Sequence, residues 1–184
     1  MPSQPHPMVP DLDTLVNLFY DSHAELGQFT EVTPSQMPAD YRGLLAHSKH
    51  MTVTVEKFHN SPVNVHVWSK KIEQPHYARK ITLSRTSDGQ VVQYGIMRIN
   101  FSYLSPAVQA EIEQEGTPLG RVLIQHHVLR RVHLASLWHV VPGEDLQRLF
   151  GLSDAVPTYG RTALIECNSE PAVELLEIVT PTAG

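Results

Sequence analysis

Arg79 stands between Tyr77 and Ile81, and in an extended chain those two side chains point the same way as its own. A guanidinium among apolar neighbours is expensive to bury unless it meets an anion. Thr117-Pro118-Leu119-Gly120 opens a helical stretch. The first backbone N–H groups of a helix lack partners within it and can receive a carboxylate. Glu177 shares one side of the final extended stretch with Val173, Leu175 and Val179. A carboxyl on that apolar side is desolvated, which suits it to hydrogen-bond or exchange a proton with a hydroxyl. Each feature also has a plainer reading: an internal ion pair, an ordinary helix start, an edge-strand glutamate. Together they describe a pocket for a small carboxylated molecule.

Other chemistry fits less well. The chain has no P-loop, no GxGxxG, no GxSxG and no His-Glu-x-x-His. His126, His127 and His133 lack a completing carboxylate or cysteine nearby, and adjacent strand residues point to opposite faces, so no metal site is expected. Cys167, the single cysteine, ends an apolar stretch with no activating neighbour and reads as a buried structural thiol. It also excludes an internal disulfide framework.

Charge narrows the partner. The formal net charge is −5, which argues against a general phosphate-backbone binder, so no nucleic-acid partner is expected. Yet Gly116 to Gly143 contains no carboxylate and carries Arg121, Arg130, Arg131, His126, His127, His133 and His139. That segment either focuses positive potential on a small anion or scatters its cations over separate faces.

With 184 residues, of which 41% are apolar and 18% charged, the chain suits one packed domain. Residues 1–10 hold four prolines and no Lys or Arg, which predicts a disordered lead-in and no secretory signal. Residues 11–184 are expected to form the single domain. Nothing approaches the roughly 20 apolar residues that span a bilayer, so a soluble, cytoplasmic protein without a membrane partner is expected. The oligomeric state is not encoded in any such feature.

The elements that must position these residues follow from periodicity. Asp11 caps a helix with Leu12, Leu15, Val16, Phe19 and His23 on one face, and residues 39–47 form a second helix. From Met51, Val53 and Val55 alternate with Thr52 and Thr54, which predicts a strand. Asn60-Ser61-Pro62 turns the chain into a strand containing Val63, Val65 and Val67. Residues 77–85 and 91–100 flank Ser87-Asp88-Gly89 and form a hairpin. Ser105-Pro106 and Pro118 begin helices. Residues 131–141 form a strand, residues 144–150 a helix closed by Gly151, and residues 160–167 and 172–179 a final hairpin. Helices and hairpins without βαβ alternation indicate α+β: a single antiparallel sheet covered by helices.

These residues resemble the chorismate pyruvate-lyase family over about Leu44 to Pro181. The resemblance rests on Met51-Thr52, Glu56, the strand around Arg79, Thr117-Pro118-Leu119-Gly120-Arg121, Leu129, Arg131, Gly160-Arg161, Pro171, Glu177 and Pro181. It implies a chorismate lyase-like fold, an antiparallel sheet of about six strands covered by helices, and a carbon–oxygen lyase with no metal or organic cofactor that releases pyruvate from chorismate and leaves 4-hydroxybenzoate. In that family the residues matching Arg79 and the Leu119 amide hold the product carboxylate. The residue matching Glu177 meets the phenolic hydroxyl and the one matching Met51 lines the cavity. Arg79 and Glu177 are thus the expected catalytic residues, with Met51, Arg79, Leu119, Gly120 and Glu177 binding substrate. Two features depart from the family. Glu177 lies one residue further from Pro171 than in the bacterial lyases, leaving Glu174 as a competitor, and residues 139–158 form a longer stretch. The departures keep open a related lyase or cyclase acting on another carboxylated substrate in a specialised pathway. A non-enzymatic small-molecule sensor is the third reading, since effector domains of some bacterial transcription regulators share the lyase fold. Against it, the roughly 50 residues before the matching region, with Arg42 and Lys49 as their only cations, read as too short and too acidic for a winged helix.

Overall fold

The computed structural model describes residues 9–182, so all of the expected lead-in except Val9 and Pro10 lies outside the described residues. Seven strands form one antiparallel sheet: β1 (Gly27–Val32), β2 (Val63–Glu73), β3 (His76–Arg85), β4 (Val91–Asn100), β5 (Arg130–Pro142), β6 (Thr158–Cys167) and β7 (Glu170–Val179). Their order across the sheet is β1-β5-β6-β7-β4-β3-β2. The helices are α1 (Leu12–Asn17), α2 (His23–Leu26), α3 (Ala39–Leu45), α4 (Met51–His59), α5 (Pro106–Glu113), α6 (Leu119–Gln125) and α7 (Glu144–Phe150). None is long and apolar enough to cross a membrane.

Strand alternation divides the core in two. Tyr77, Ile81, Leu83, Met97, Ile99, Ala163, Val173 and Leu175 face one side, under α3, α4, α5 and α6. Tyr94, Ile96, Leu176 and Ile178 face the other side, where they pack with residues of α1, α2 and α7. The period of two makes this division obligatory once the register is set. Local chemistry supports the element ends. Asp11 accepts from the Thr14 N–H at 3.0 Å, and Ser105 caps α5 ahead of Pro106 at the first helical position. Gly151 stops α7 at φ 68°, a left-handed conformation that glycine adopts without strain. Asn168 and Ser169 both take positive φ, as tight two-residue hairpin turns require.

Several expectations change. Residues 51–59 form a helix, not a strand. Five alternating residues also fit the helical spacing that buries Met51, Thr52 and Val55 while leaving Val53 46% exposed, and packing on α6 outweighs β-branched propensity. The seventh strand, β1, pairs with β5 from Gly27↔Pro142 to Val32↔Leu137. It is an edge strand, and its Gln28, Thr30 and Glu31 give it little apolar alternation to read. The first helix ends at Asn17, short of Phe19 and His23. Residues 139–158 supply the end of β5 and α7, on the side of the sheet that holds Tyr94 and Ile178. They therefore rebuild the back of the molecule. There Asp145 accepts from Tyr20 at 2.6 Å and from Lys80 at 3.1 Å.

Candidate functional site

On the front of the sheet, the N-terminal ends of α4 and α6 meet over a narrow cavity. Its floor comes from Arg79, Ile81 and Leu83 of β3, Gln93 and Met97 of β4, Arg161 and Ile165 of β6, and Leu175 and Glu177 of β7. His50, Met51 and Thr52 on one side and Pro118, Leu119 and Gly120 on the other form the roof. All five residues singled out from the sequence, Met51, Arg79, Leu119, Gly120 and Glu177, therefore line one cavity. Its free interior is about 30 Å³, on a scale where one water needs roughly 10–15 Å³. A ring-sized ligand must part the roof to enter.

Gly120 sets the roof. A Cβ there would lie 3.1 Å from Thr52 Oγ1 and 3.2 Å from His50 Cβ, so the missing side chain is what allows the two helix ends to approach. Below, the register places Arg79 opposite Met97, Ile81 opposite Gly95, and Gly95 opposite Glu177. Gly95 has no side chain in this row, and the Ile81 side chain lies against it, with Cδ1 3.4 Å from where a Cβ would stand.

Two arginines are wholly buried in this floor, each at 0% exposure, and their surroundings differ. Arg161 is saturated. Its Nε donates to Glu177 Oε2 at 2.7 Å, and its two terminal nitrogens donate to the carbonyls of His47 at 2.9 Å and Lys49 at 3.0 Å. It ties the chain entering α4 to the sheet. Arg79 has no such neutralising partner. Nε donates to Met97 Sδ and one terminal nitrogen to the Ile112 carbonyl, both at 3.3 Å, while Nη2 has no partner among the described residues. No described carboxylate lies within ion-pairing distance of it. Burial draws its pKa below the ordinary value, and Tyr77 and Glu115 oppose that shift. A guanidinium nonetheless stays charged in a protein.

The rest of the wall is polar in places. His50 Nε2 accepts from Arg130 Nε at 2.7 Å, which fixes the remaining proton on Nδ1. Burial, with Arg130 and Arg161 adding repulsion, pushes the His50 pKa down to about 4. Gln93 is 3% exposed and its Oε1 has no partner among the described residues. Glu174, the competing carboxylate, faces the back of the sheet and accepts from Arg98 Nε at 2.6 Å.

The acid-free segment does not form a single positive patch. Arg121 pairs with Glu56, His126 with Glu111, and Arg130 bonds to His50. Among the described residues no group of three or more potential metal ligands occurs. Cys167 is buried, which pushes its thiol up to about 11. Sequence reasoning did not select His50, Gln93 or Arg161 as site residues. The parity of Gln93 with Met97 is legible in the sequence, but the alternation after His50 reads as a strand rather than as the helix whose start brings His50 to the cavity.

No protein-family model matches the chain, and no curated protein sequence matches it. Solved structures do. The effector domain of PhnF from Mycobacterium smegmatis is 10% identical with a TM-score of 0.51, aligning 72% of this chain with 88% of that one. Full-length PhnF gives 10% identity and a TM-score of 0.50, with 71% of this chain aligned; the chain spans 63% of that protein's length. The gene product SA0254 from Staphylococcus aureus is 8% identical at a TM-score of 0.51, covering 73% of this chain and 90% of that one. At such identities the likeness is one of fold: a single antiparallel sheet with helices, the chorismate lyase-like fold that regulator effector domains share.

The expected lyase is corrected at this point. The structural neighbours are regulator effector domains rather than chorismate-cleaving enzymes, so the carbon–oxygen lyase yielding pyruvate and 4-hydroxybenzoate does not stand.

Proposed function

We propose that this domain is a non-catalytic receptor for one small organic carboxylate, bound between the sheet and the ends of α4 and α6. The observation that carries the reading is Arg79: a wholly buried guanidinium, lining a cavity, with no described carboxylate partner. An ion pair's attraction offsets the several kcal/mol that burying a charge costs, and an unpaired charge forgoes that compensation. A carboxylate ligand supplies it, accepting from Nη2 and from the backbone at Leu119. The effector domain of PhnF supports a sensing role through its shared fold. Glu177 and Arg161 serve each other as partners and hold the roof segment in place. Regulation of a partner domain through this site belongs to the same proposal.

Calorimetric titration with benzoate and a panel of other small monocarboxylates tests it. At least one should bind wild-type protein and be recovered unchanged. Arg79→Met should weaken that binding by roughly 30-fold or more, the scale for losing one partner of a buried charge pair. If no member of the panel binds, or Arg79→Met binds as tightly as wild type, the receptor reading fails.

A further inference from the structure

Residues 46–50 join α3 to α4 without regular secondary structure, and His50, the last of them, enters the roof of the cavity. Arg161 holds this strap by two carbonyls, those of His47 and Lys49, and a guanidinium keeps such bonds at any ordinary pH. Two further bonds need neutral imidazoles. His47 Nε2–H donates to the Leu44 carbonyl at 2.6 Å, so Nδ1 is the bare nitrogen that accepts from the Lys49 N–H at 3.0 Å. His50 Nε2 accepts from Arg130 Nε at 2.7 Å. A ring nitrogen that takes up a proton has no lone pair to offer, so each of these bonds is lost on protonation.

The surroundings oppose that proton. His50 meets Arg130 from β5 and Arg161 from β6, and His47 meets Arg161 and its neighbour Lys49. Glu177 of β7, the carboxylate in the cavity lining, is held by Arg161. Across the roof, α6 presents Gly120 to His50, and its Arg121 is paired with Glu56 of α4. From α3 comes the Leu44 carbonyl. Burial and the cations hold both histidines below the ordinary value, His50 at about 4. A closed strap therefore resists protonation, and a protonated strap resists closure.

We infer that residues 47–50 form an acid-released strap: with both imidazoles neutral it shuts the roof, and protonation lifts its His50 end from Arg130 and opens the way to Arg79. The inference rests on the receptor reading above and adds the route and condition of ligand entry. His50 Cβ lies 3.2 Å from where a Gly120 Cβ would stand, so movement at His50 opens the seam between α4 and α6. The Arg161 bonds remain, and the strap pivots on them. With His50 at about 4 when closed and at the ordinary 6.5 when open, opening gains roughly 20-fold between pH 7 and pH 5.

Nitrogen relaxation dispersion on the amides of residues 47–50, in ligand-free protein at both pH values, reads the opening. In wild type the minor-state population should rise by about 20-fold at the lower pH, while amides of β7 stay quiet. His50→Gln still accepts from Arg130 but does not titrate, and most of the rise should vanish. Arg130→Met removes the donor; it should show the open state already at pH 7 and serves if the glutamine variant does not fold. A second measurement follows the exchange of benzoate, or of the panel monocarboxylate that binds best, through the broadening of its own proton signals. Its carboxylate stays ionised over this range. Exchange should quicken at the lower pH in wild type and keep nearly the same rate in His50→Gln. No rise in wild type, or a rise that survives in full in His50→Gln, overturns the strap. Ligand exchange at one rate at both pH values does the same and leaves the receptor reading intact. If no monocarboxylate of the panel binds, the receptor reading falls and the entry role with it.

Discussion

Arg79 and Arg161 are the same residue type at the same burial, a few strands apart, and they serve opposite ends. Arg161 is fully used in the folded state's own hydrogen-bonding, whereas Arg79 has no described carboxylate partner and its Nη2 makes no bond among the described residues. The difference predicts opposite responses to one substitution. Arg161→Met should destabilise the protein by about 3–5 kcal/mol in chemical denaturation, because it strands Glu177 in the interior and frees the His47 and Lys49 carbonyls. Arg79→Met removes a buried charge that has no protein partner, and stability should hold or rise. A comparable loss for both variants would show that Arg79 is also structural. The sequence marked Arg79 as a candidate partner for an anion, since its apolar neighbours in a strand were plain. It could not reveal that Glu177 would meet Arg161, because Arg161 and Glu177 become neighbours only through the pairing of β6 with β7.

The roof depends on two short helices meeting end to end, and on a glycine at the point of contact. Gly120→Val places branched methyl groups where a Cβ alone already crowds Thr52 and His50. The helix ends must then separate, and urea denaturation should register a loss of about 1–3 kcal/mol, the range for overpacking a close contact. Alanine is the less decisive choice, since its better helix propensity offsets part of the crowding. Helix α6 was legible from Pro118 and the apolar spacing behind it. Helix α4 was not, because Thr52-Val53-Thr54-Val55 satisfies a strand template over a window too short to contain a full helical repeat. What decides it is the partner: the buried residues of α4 sit against α6 and the sheet. The strand β1 escaped notice for a related reason. Its order comes from hydrogen bonds to β5, not from an apolar face of its own.

Across the whole molecule, a seven-stranded sheet separates the side that holds the Arg79 cavity from the side packed by α1, α2 and α7. The roof is coupled to global stability through His50. Its native pKa of about 4 lies below the ordinary value of 6.5, so the unfolded chain takes up a proton first. Stability from this group is complete above about pH 6.5, falls as pH drops toward 4, and levels off below that. His50→Gln can still accept from Arg130 but does not titrate. Its melting temperature should fall less than that of wild type between those pH values, and parallel profiles would remove His50 from the account. The sequence by itself determined the α+β class, most strand positions, the absence of an internal disulfide and five of the residues that line the cavity. Periodicity, turn chemistry and the cost of burying charge, all of them local, account for these except Met51, which only the family resemblance singled out. Only the tertiary structure decided which buried charge is satisfied and which is not. That depends on strand order and register, which bring Glu177 to Arg161 and leave Arg79 lining the cavity without a described carboxylate partner.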